Sequence, residues 1–399
     1  MEYVKGSPYF CDTQKRLKQY PYLDKDESCE ILIIGGGIDG AIANFYLSKK
    51  HDVMLVDKNK IGFGCTSCAT ALLEYQLDEL ASDLTKYLTK EQIVEAYKMG
   101  LSSITKIHEF ISEYGNECDF NLRPSFLYTD SIFSKKGLIE EYNFRKENSF
   151  DCELITQDNN PFPFNVKAGI FSEKGGCEFN PYLFTKQMIE NSSNQIFENT
   201  KIDKIESKKD HFIATTNYGY KIKCKKIILA TGFNWEVIGL SDLCERFVSY
   251  SIVTKPIKGL SYYKKSLVHN MQSPYNYMRM LPDGGIIFGG EDVTWNIKKG
   301  IVAKQAEKKY KNLEKSLKKL FPNFSDKLEI SHKFCGAFGT TNNNLGIIGE
   351  SGIKNIFYFI SCGANGIINA MFGVELLEDL FSGRQNPLTQ VFSPLRVDL

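Results

Sequence analysis

The apolar positions along the chain change period several times, and the first change is the most informative. From Cys29 an apolar run, Ile31-Leu32-Ile33-Ile34, meets Gly35-Gly36-Gly37-Ile38-Asp39-Gly40; helix-forming residues continue to Lys49, and a second apolar run, Val53-Met54-Leu55-Val56, ends at Asp57. Such runs on either side of a glycine turn and a helix predict one βαβ unit, the context in which a Gly-x-Gly-x-x-Gly match carries meaning. Thr89 to Tyr114 has helical periodicity, with Ile93, Tyr97, Leu101, Ile104, His108 and Ile111 on one face, Thr89 and Gln92 at capping-box spacing, and Gly115 as a stop. Asn180-Pro181 opens another helix, and Ala303 to Leu320 a Lys-rich one whose charges read as a solvated face. His211 to Cys224 reads as a hairpin around Asn217-Tyr218-Gly219. Alternation from Phe247 to Gly290, with turns at Gln272-Ser273-Pro274 and Pro282-Asp283-Gly284-Gly285, predicts an antiparallel sheet. Two more apolar runs end in small-residue turns: Lys226 to Leu229 at Ala230-Thr231-Gly232, and Ile356 to Ile360 at Gly363-Ala364-Asn365-Gly366-Ile367, the latter followed by an apolar helix through Leu380.

The glycines of the first turn have separate tasks. Gly35 permits the tight turn, Gly37 lets a diphosphate approach the backbone, and Gly40 lets the helix pack on the strand. The diphosphate then rests at a helix N-terminus, where free N–H groups and the dipole favour negative charge. Asp57 stands where a carboxylate accepts ribose hydroxyls, which favours FAD or NAD over NADP. The small-residue loop from Lys58 through Leu73 lets backbone lie against a flat ring system, which points to FAD. The second glycine turn aims a helix dipole at electron-rich flavin oxygen.

Composition narrows the field. Lys plus Arg is 49 against 48 for Asp plus Glu, a formal net charge of +1, so no basic field concentrates nucleic acid. The 42% hydrophobic content over 399 residues supports a large core. No apolar run approaches the roughly 20 residues of a membrane span, and Met1 to Glu30 is polar and Tyr-rich; a cytoplasmic protein without a membrane span is expected. The 11 cysteines are scattered, unlike a disulfide scaffold. Cys65 and Cys68 form a Cys-x-x-Cys whose two readings are a redox dithiol and small residues lining the flavin loop; with no second such pair, no metal is expected. Five scattered histidines and no Gly-x-Ser-x-Gly turn argue against a hydrolase.

These segments, together with Asp283-Gly284-Gly285 leading to Gly289-Gly290-Glu291-Asp292 and Phe338-Gly339-Thr340-Thr341 leading to Gly349, resemble the D-amino-acid oxidase superfamily, in particular its glycine oxidase, sarcosine oxidase and gamma-glutamylputrescine oxidase branches. The resemblance implies an α/β fold with a Rossmann-like FAD-binding domain that is discontinuous in sequence, over 29–118, 165–246 and 332–399 after an N-terminal extension of 1–28. A second α+β substrate domain, built on an antiparallel sheet, takes 119–164 and 247–331. FAD contacts are implied for Gly35, Gly37, Ile38, Asp39, Gly40, Asp57 and Lys58, and for Gly64, Cys65, Thr66, Ser67, Ala69, Thr70 and Leu72 in the loop. Ile202 would reach adenine through its backbone; Ala230, Thr231, Gly232, Trp235 and Gly336 complete the set, and Gly363, Ala364, Asn365, Gly366 and Ile367 reach the flavin carbonyl edge. Non-covalent FAD is expected, although Cys335 lies where sarcosine oxidases link the flavin to cysteine.

The activity so implied is oxidation of the C–N bond of an amine or amino acid by hydride transfer to flavin. Arg279 is the candidate grip for a substrate carboxylate, with a structural ion pair as its other reading. Tyr277 and Tyr250 are candidates to shield an amine cation, with plain packing as theirs. A 2-hydroxyacid or glycerol-3-phosphate dehydrogenase and a flavin-bearing subunit of a larger oxidase complex are the alternatives. Oxygen, a quinone and a carrier protein stay open as electron acceptor.

Overall fold

A run of apolar residues without alternation fits a strand covered on both faces, and the strands at the centre of this protein carry that pattern. In the computed structural model, which describes residues 3–12, 18–192, 195–232, 244–272, 274–295, 300–341 and 343–396, Ile31–Ile34 lies between Val53–Val56 and Lys226–Leu229 in a six-stranded sheet. Ile356–Ile360 and Gln195–Phe197 extend it in parallel, and Ile347–Glu350 adds an antiparallel edge. The two faces divide residue by residue. Ile31, Ile33, Val53, Leu55 and Ile228 enter one core with the helices Ile38–Leu47, Lys90–Tyr114, Pro181–Glu190 and Gly366–Ser382. Leu32, Met54, Val56, Ile227 and Leu229 enter another, shared with a four-stranded sheet of Ile202–Ser207, Phe212–Thr216, Lys221–Cys224 and Glu27–Ser28.

Caps fix the helix starts. Thr89 Oγ1 accepts the Gln92 N–H at 3.3 Å while Gln92 Oε1 accepts the Thr89 N–H at 2.8 Å, and Asn180 Oδ1 accepts the N–H groups of Tyr182 and Leu183 at 3.1 and 3.0 Å.

The third sheet has ten strands. Its path runs Val4–Gly6, Ile330–Thr340, Glu245–Thr254, Ile286–Thr294, Asn276–Met280, Leu267–Asn270, Asn121–Thr129, Ala168–Glu178 and Leu72–Glu74, with Glu153–Thr156 pairing on Ala168–Glu178. All its pairs are antiparallel except Leu267–Asn270 on Asn121–Thr129, so the sheet is mixed rather than purely antiparallel. The helix Ala303–Leu320 buries Ala306, Tyr310, Leu313 and Leu317 against it, with Lys304, Lys308, Lys311, Lys315 and Lys319 exposed. Leu72–Glu74, Ala168–Glu178 and most of Ile330–Thr340 fall in stretches expected in the FAD-binding domain, yet hydrogen-bond into this sheet. Val4–Gly6, expected as an extension, pairs with Phe334–Gly336. No helix among the described residues is long and apolar enough to cross a membrane.

Candidate functional site

Between the six-stranded and ten-stranded sheets opens a cavity of about 1030 Å³, lined at one end by the βαβ corner. Gly35 has φ 116°, and a Cβ there would stand 2.2 Å from the Ala230 carbonyl oxygen, so the turn takes only glycine. At Gly40 a Cβ would stand 1.8 Å from the Gly35 oxygen, the close helix–strand approach that the motif requires. The helix Ile38–Leu47 has no side-chain cap from its own Gly37; Thr66 Oγ1, from the following loop, accepts the Ile38 N–H at 3.0 Å. Asp57 accepts the Gly36 and Asn59 N–H groups, both at 2.6 Å. Burial nevertheless pushes its carboxyl above the ordinary aspartate range.

Two more carboxylates, the buried Asp39 and the exposed Asp78, hold the opposite rim, the turn at 361–365. Asp39 accepts the Ser361 N–H at 3.0 Å and also the Ser361 hydroxyl. Asp78 accepts the N–H groups of Ala364 at 2.6 Å and Asn365 at 3.0 Å. The Asn365 side chain donates to the Gln76 carbonyl at 3.0 Å and accepts the Glu74 N–H at 3.3 Å, which binds the turn to the strand region after Leu72. Burial pushes the Asp39 carboxyl up to about 6, against the Ser361 hydrogen bonds that lower it. A carboxyl whose folded pKa exceeds its unfolded value of about 4 makes the fold less stable as pH climbs from 4 through 6, by up to about 3 kcal/mol for a shift of this size. In the ligand-free chain, Asp39→Asn should therefore gain urea midpoint relative to wild type across that window. Parallel pH profiles for the two proteins would sink this account.

Gly35, Gly37, Ile38, Asp39, Asp57, Lys58, Gly64, Cys65, Thr66, Ala69, Thr70, Leu72, Ile202, Ala230, Thr231, Gly232, Gly336 and the five residues from Gly363 to Ile367 all line the cavity. Gly40 sits behind it, and Ser67 turns its hydroxyl onto the Gly64 carbonyl at 2.7 Å. Trp235 lies outside the described residues. Thr231 Oγ1 is buried on the cavity wall without a hydrogen-bond partner among the described residues, as a group reserved for a ligand would be. A glycine corner that any Cβ would fill, a helix N-terminus and an acidic strand end together suit a dinucleotide.

Cys65 and Cys68 also line the wall, with no disulfide. Burial drives the Cys65 thiol up to about 12 and Cys68 well above the usual range, the reverse of an activated redox pair. Cys335 faces the other way, into the core with Tyr250, Ala337 and Tyr310, while Gly336 beside it faces the cavity.

At the end remote from the βαβ corner the walls come from the ten-stranded sheet. Tyr277 lines the cavity, its hydroxyl 3.4 and 3.3 Å from those of Ser249 and Ser251. Tyr250 does not; it is packed edge-on to Tyr310 at 5.9 Å. Arg279 is also away from the cavity and 2% exposed, with its donors engaged: Nε to the Thr70 carbonyl at 2.7 Å, Nη2 to the Phe179 carbonyl at 2.9 Å, and Nη1 3.2 Å from Glu178 Oε2, an ion pair without hydrogen-bond alignment. The side chain expected to grip substrate thus spends its contacts on Thr70, Phe179 and Glu178, behind the cavity wall. Sequence reasoning missed Glu74, Gln76 and Asp78, His269, Tyr275 and Asp292, which do line the cavity. A signal for the first three was there: polar residues two apart, alternating with the buried Leu73, Tyr75 and Leu77.

Comparison with known proteins bears on the fold and the family. The curated protein YhfW of Bacillus subtilis (strain 168), named for a Rieske 2Fe-2S iron-sulfur centre, is 22% identical over 405 aligned residues, covering 100% of this chain and 77% of that one. Glycine oxidase from Geobacillus kaustophilus superposes with a TM-score of 0.77 at 16% identity, over 92% of this chain and 99% of that one. Dithionite-reduced L-alpha-glycerophosphate oxidase from Mycoplasma pneumoniae, with FAD bound, superposes with a TM-score of 0.74 at 16% identity, over 90% and 97%. The family model for FAD dependent oxidoreductases, DAO, matches residues 30–380, so the chain belongs to that family and its cofactor is FAD.

Proposed function

We propose that this oxidoreductase acts on the C–N bond of an amine or amino acid. One observation carries the reading: the cavity walls away from the nucleotide end bring Glu74 and Asp292 together with Tyr275 and Tyr277, carboxylates and aromatic faces that suit a cation. Among the described lining residues, Lys58 and Lys201 sit at the nucleotide end beside Asp57 and Ile202, and Arg145 is bound to Glu141 at 2.7 Å. Near the tyrosines the basic lining side chain is His269, and its Nδ1 is taken by Glu74 at 2.8 Å, so an anionic hydroxy acid or phosphate ester would compete with that carboxylate for it. FAD supplies the hydride acceptor, and the chain's own groups bind, orient and desolvate the amine. Non-covalent attachment belongs to this reading, because Cys335 is turned into the core.

Anaerobic mixing of the yellow protein with amines, amino acids, 2-hydroxy acids and glycerol 3-phosphate tests it. Bleaching of the flavin by an amine-class compound, with an imine or its hydrolysis product recovered, is the expected result. Bleaching only by hydroxy acids or glycerol 3-phosphate would overturn it.

A further inference from the structure

Three acceptor oxygens on the chamber walls have no hydrogen-bond partner among the described residues: Glu74 Oε1, Gln76 Oε1 and Asp292 Oδ1. Glu74 and Gln76 are each 5% exposed. Buried acceptors left in this state mark places where a ligand's donors belong. The other Glu74 oxygen is already held, by His269 Nδ1 at 2.8 Å and by Gln76 Nε2 at 3.1 Å, so the carboxylate is fixed with Oε1 as its open position. Asp292 is fixed likewise: Oδ2 accepts the Tyr275 hydroxyl at 2.8 Å, the Ser249 hydroxyl stands against the same carboxylate, and Oδ1 is the open position. Tyr275 and Tyr277 have ring centroids 6.0 Å apart, and Tyr277 pairs across the strands with His269. In the sheet, the strand of Asp292 lies on one side of the tyrosine strand and that of His269, which holds Glu74, on the other. Asp78, Glu79 and Asp83 add acidic groups to the same cavity.

Resting on the amine reading above, we infer that Glu74 with Gln76 forms a subsite for a second cationic group on the substrate, Asp292 with the tyrosine pair receiving the first. The substrate class is then a di- or oligoamine. Two ammonium groups satisfy the three open acceptors, whereas a substrate carboxylate in this chamber meets Asp292 as a like charge and must compete with Glu74 for His269.

The test uses amines that bind but cannot be oxidised, because the carbon bearing nitrogen has no hydrogen. Holoprotein is titrated with 2,5-dimethylhexane-2,5-diamine and with tert-butylamine, and each Kd is read from the perturbation of the flavin absorption band. The diamine is expected to bind at least 30-fold more tightly. Glu74→Gln should cut that preference about tenfold or more, and Gln76→Leu by a smaller factor; the flavin band itself reports that each variant is folded and loaded. A wild-type preference near one, or a preference unchanged in both variants, overturns the inference. Should glycine or N-methylglycine bleach the flavin as readily as butane-1,4-diamine, the subsite is wrong and the C–N reading stands. Should only hydroxy acids or glycerol 3-phosphate bleach it, both fall.

Discussion

Arg279→Ala is expected to lower folding stability by about 3–5 kcal/mol, the range for removing one partner of a buried ion pair. The loss has several parts. Glu178 keeps Arg123, whose Nε and Nη2 both lie 2.9 Å from Oε1, but its Oε2 side is left facing an emptied site. The carbonyls of Thr70 and Phe179 lose their donor, and the guanidinium leaves the ring of Phe10, 5.2 Å from its centroid. Because Thr70 belongs to the wall of the flavin cavity, FAD retention should fall along with the urea midpoint. Arg279→Lys should rescue little, since one ammonium cannot reproduce three directed contacts. A substrate-gripping arginine predicts the opposite pattern, a raised KM for carboxylate substrates on a protein of unaltered midpoint, and that outcome would return Arg279 to the active site.

Gly40→Ala should weaken FAD binding by roughly 100-fold. The new methyl would lie 1.8 Å from the Gly35 carbonyl oxygen, and backbone cannot swing aside as a side chain does. The helix must lift from the strand, which misdirects the N–H groups at its N-terminus and disturbs Asp39, buried in its first turn and bonded to Ser361. The ratio of flavin to protein absorbance after gel filtration measures the effect. Gly352→Ala, where the added atom meets nothing within 4 Å, is the control expected to keep its flavin. Equal flavin content in the two variants would refute the packing argument.

The nucleotide end of the molecule was legible because its physics is local. A turn that only glycine can make, a helix that begins there and an acid at the next strand end all lie within 35–57, and two further strands of the same sheet, Lys226–Leu229 and Ile356–Ile360, also run out into glycine turns. The chamber was harder to read. Arg279 and Glu178 are 101 positions apart, and nothing near Arg279 in sequence announces that its partners are a distant carboxylate and two carbonyls. Tyr250 and Tyr277 both lie in alternating strands, yet strand pairing sends the first into the core and the second to the cavity. The helix Lys135–Glu147 escaped notice for a related reason: its buried face is Leu138, Glu141 and Arg145, an ion pair closed at 2.7 Å, so the apolar period is missing. Ala168–Glu178 is buried over most of its length and carries Gly175-Gly176, which hides a period of two.

The central sheet also governs when during synthesis the cofactor can be captured. Ile31–Ile34 is flanked by Lys226–Leu229, which itself needs Ile356–Ile360 as its outer neighbour, and the turn that closes the cavity follows that last strand. Everything from Ile31 to the turn at 361–365 must leave the ribosome before this pocket exists. Until then the glycine corner lacks the strands that complete its walls, a long-range parallel pairing of the kind that forms slowly and leaves apolar surface uncovered meanwhile.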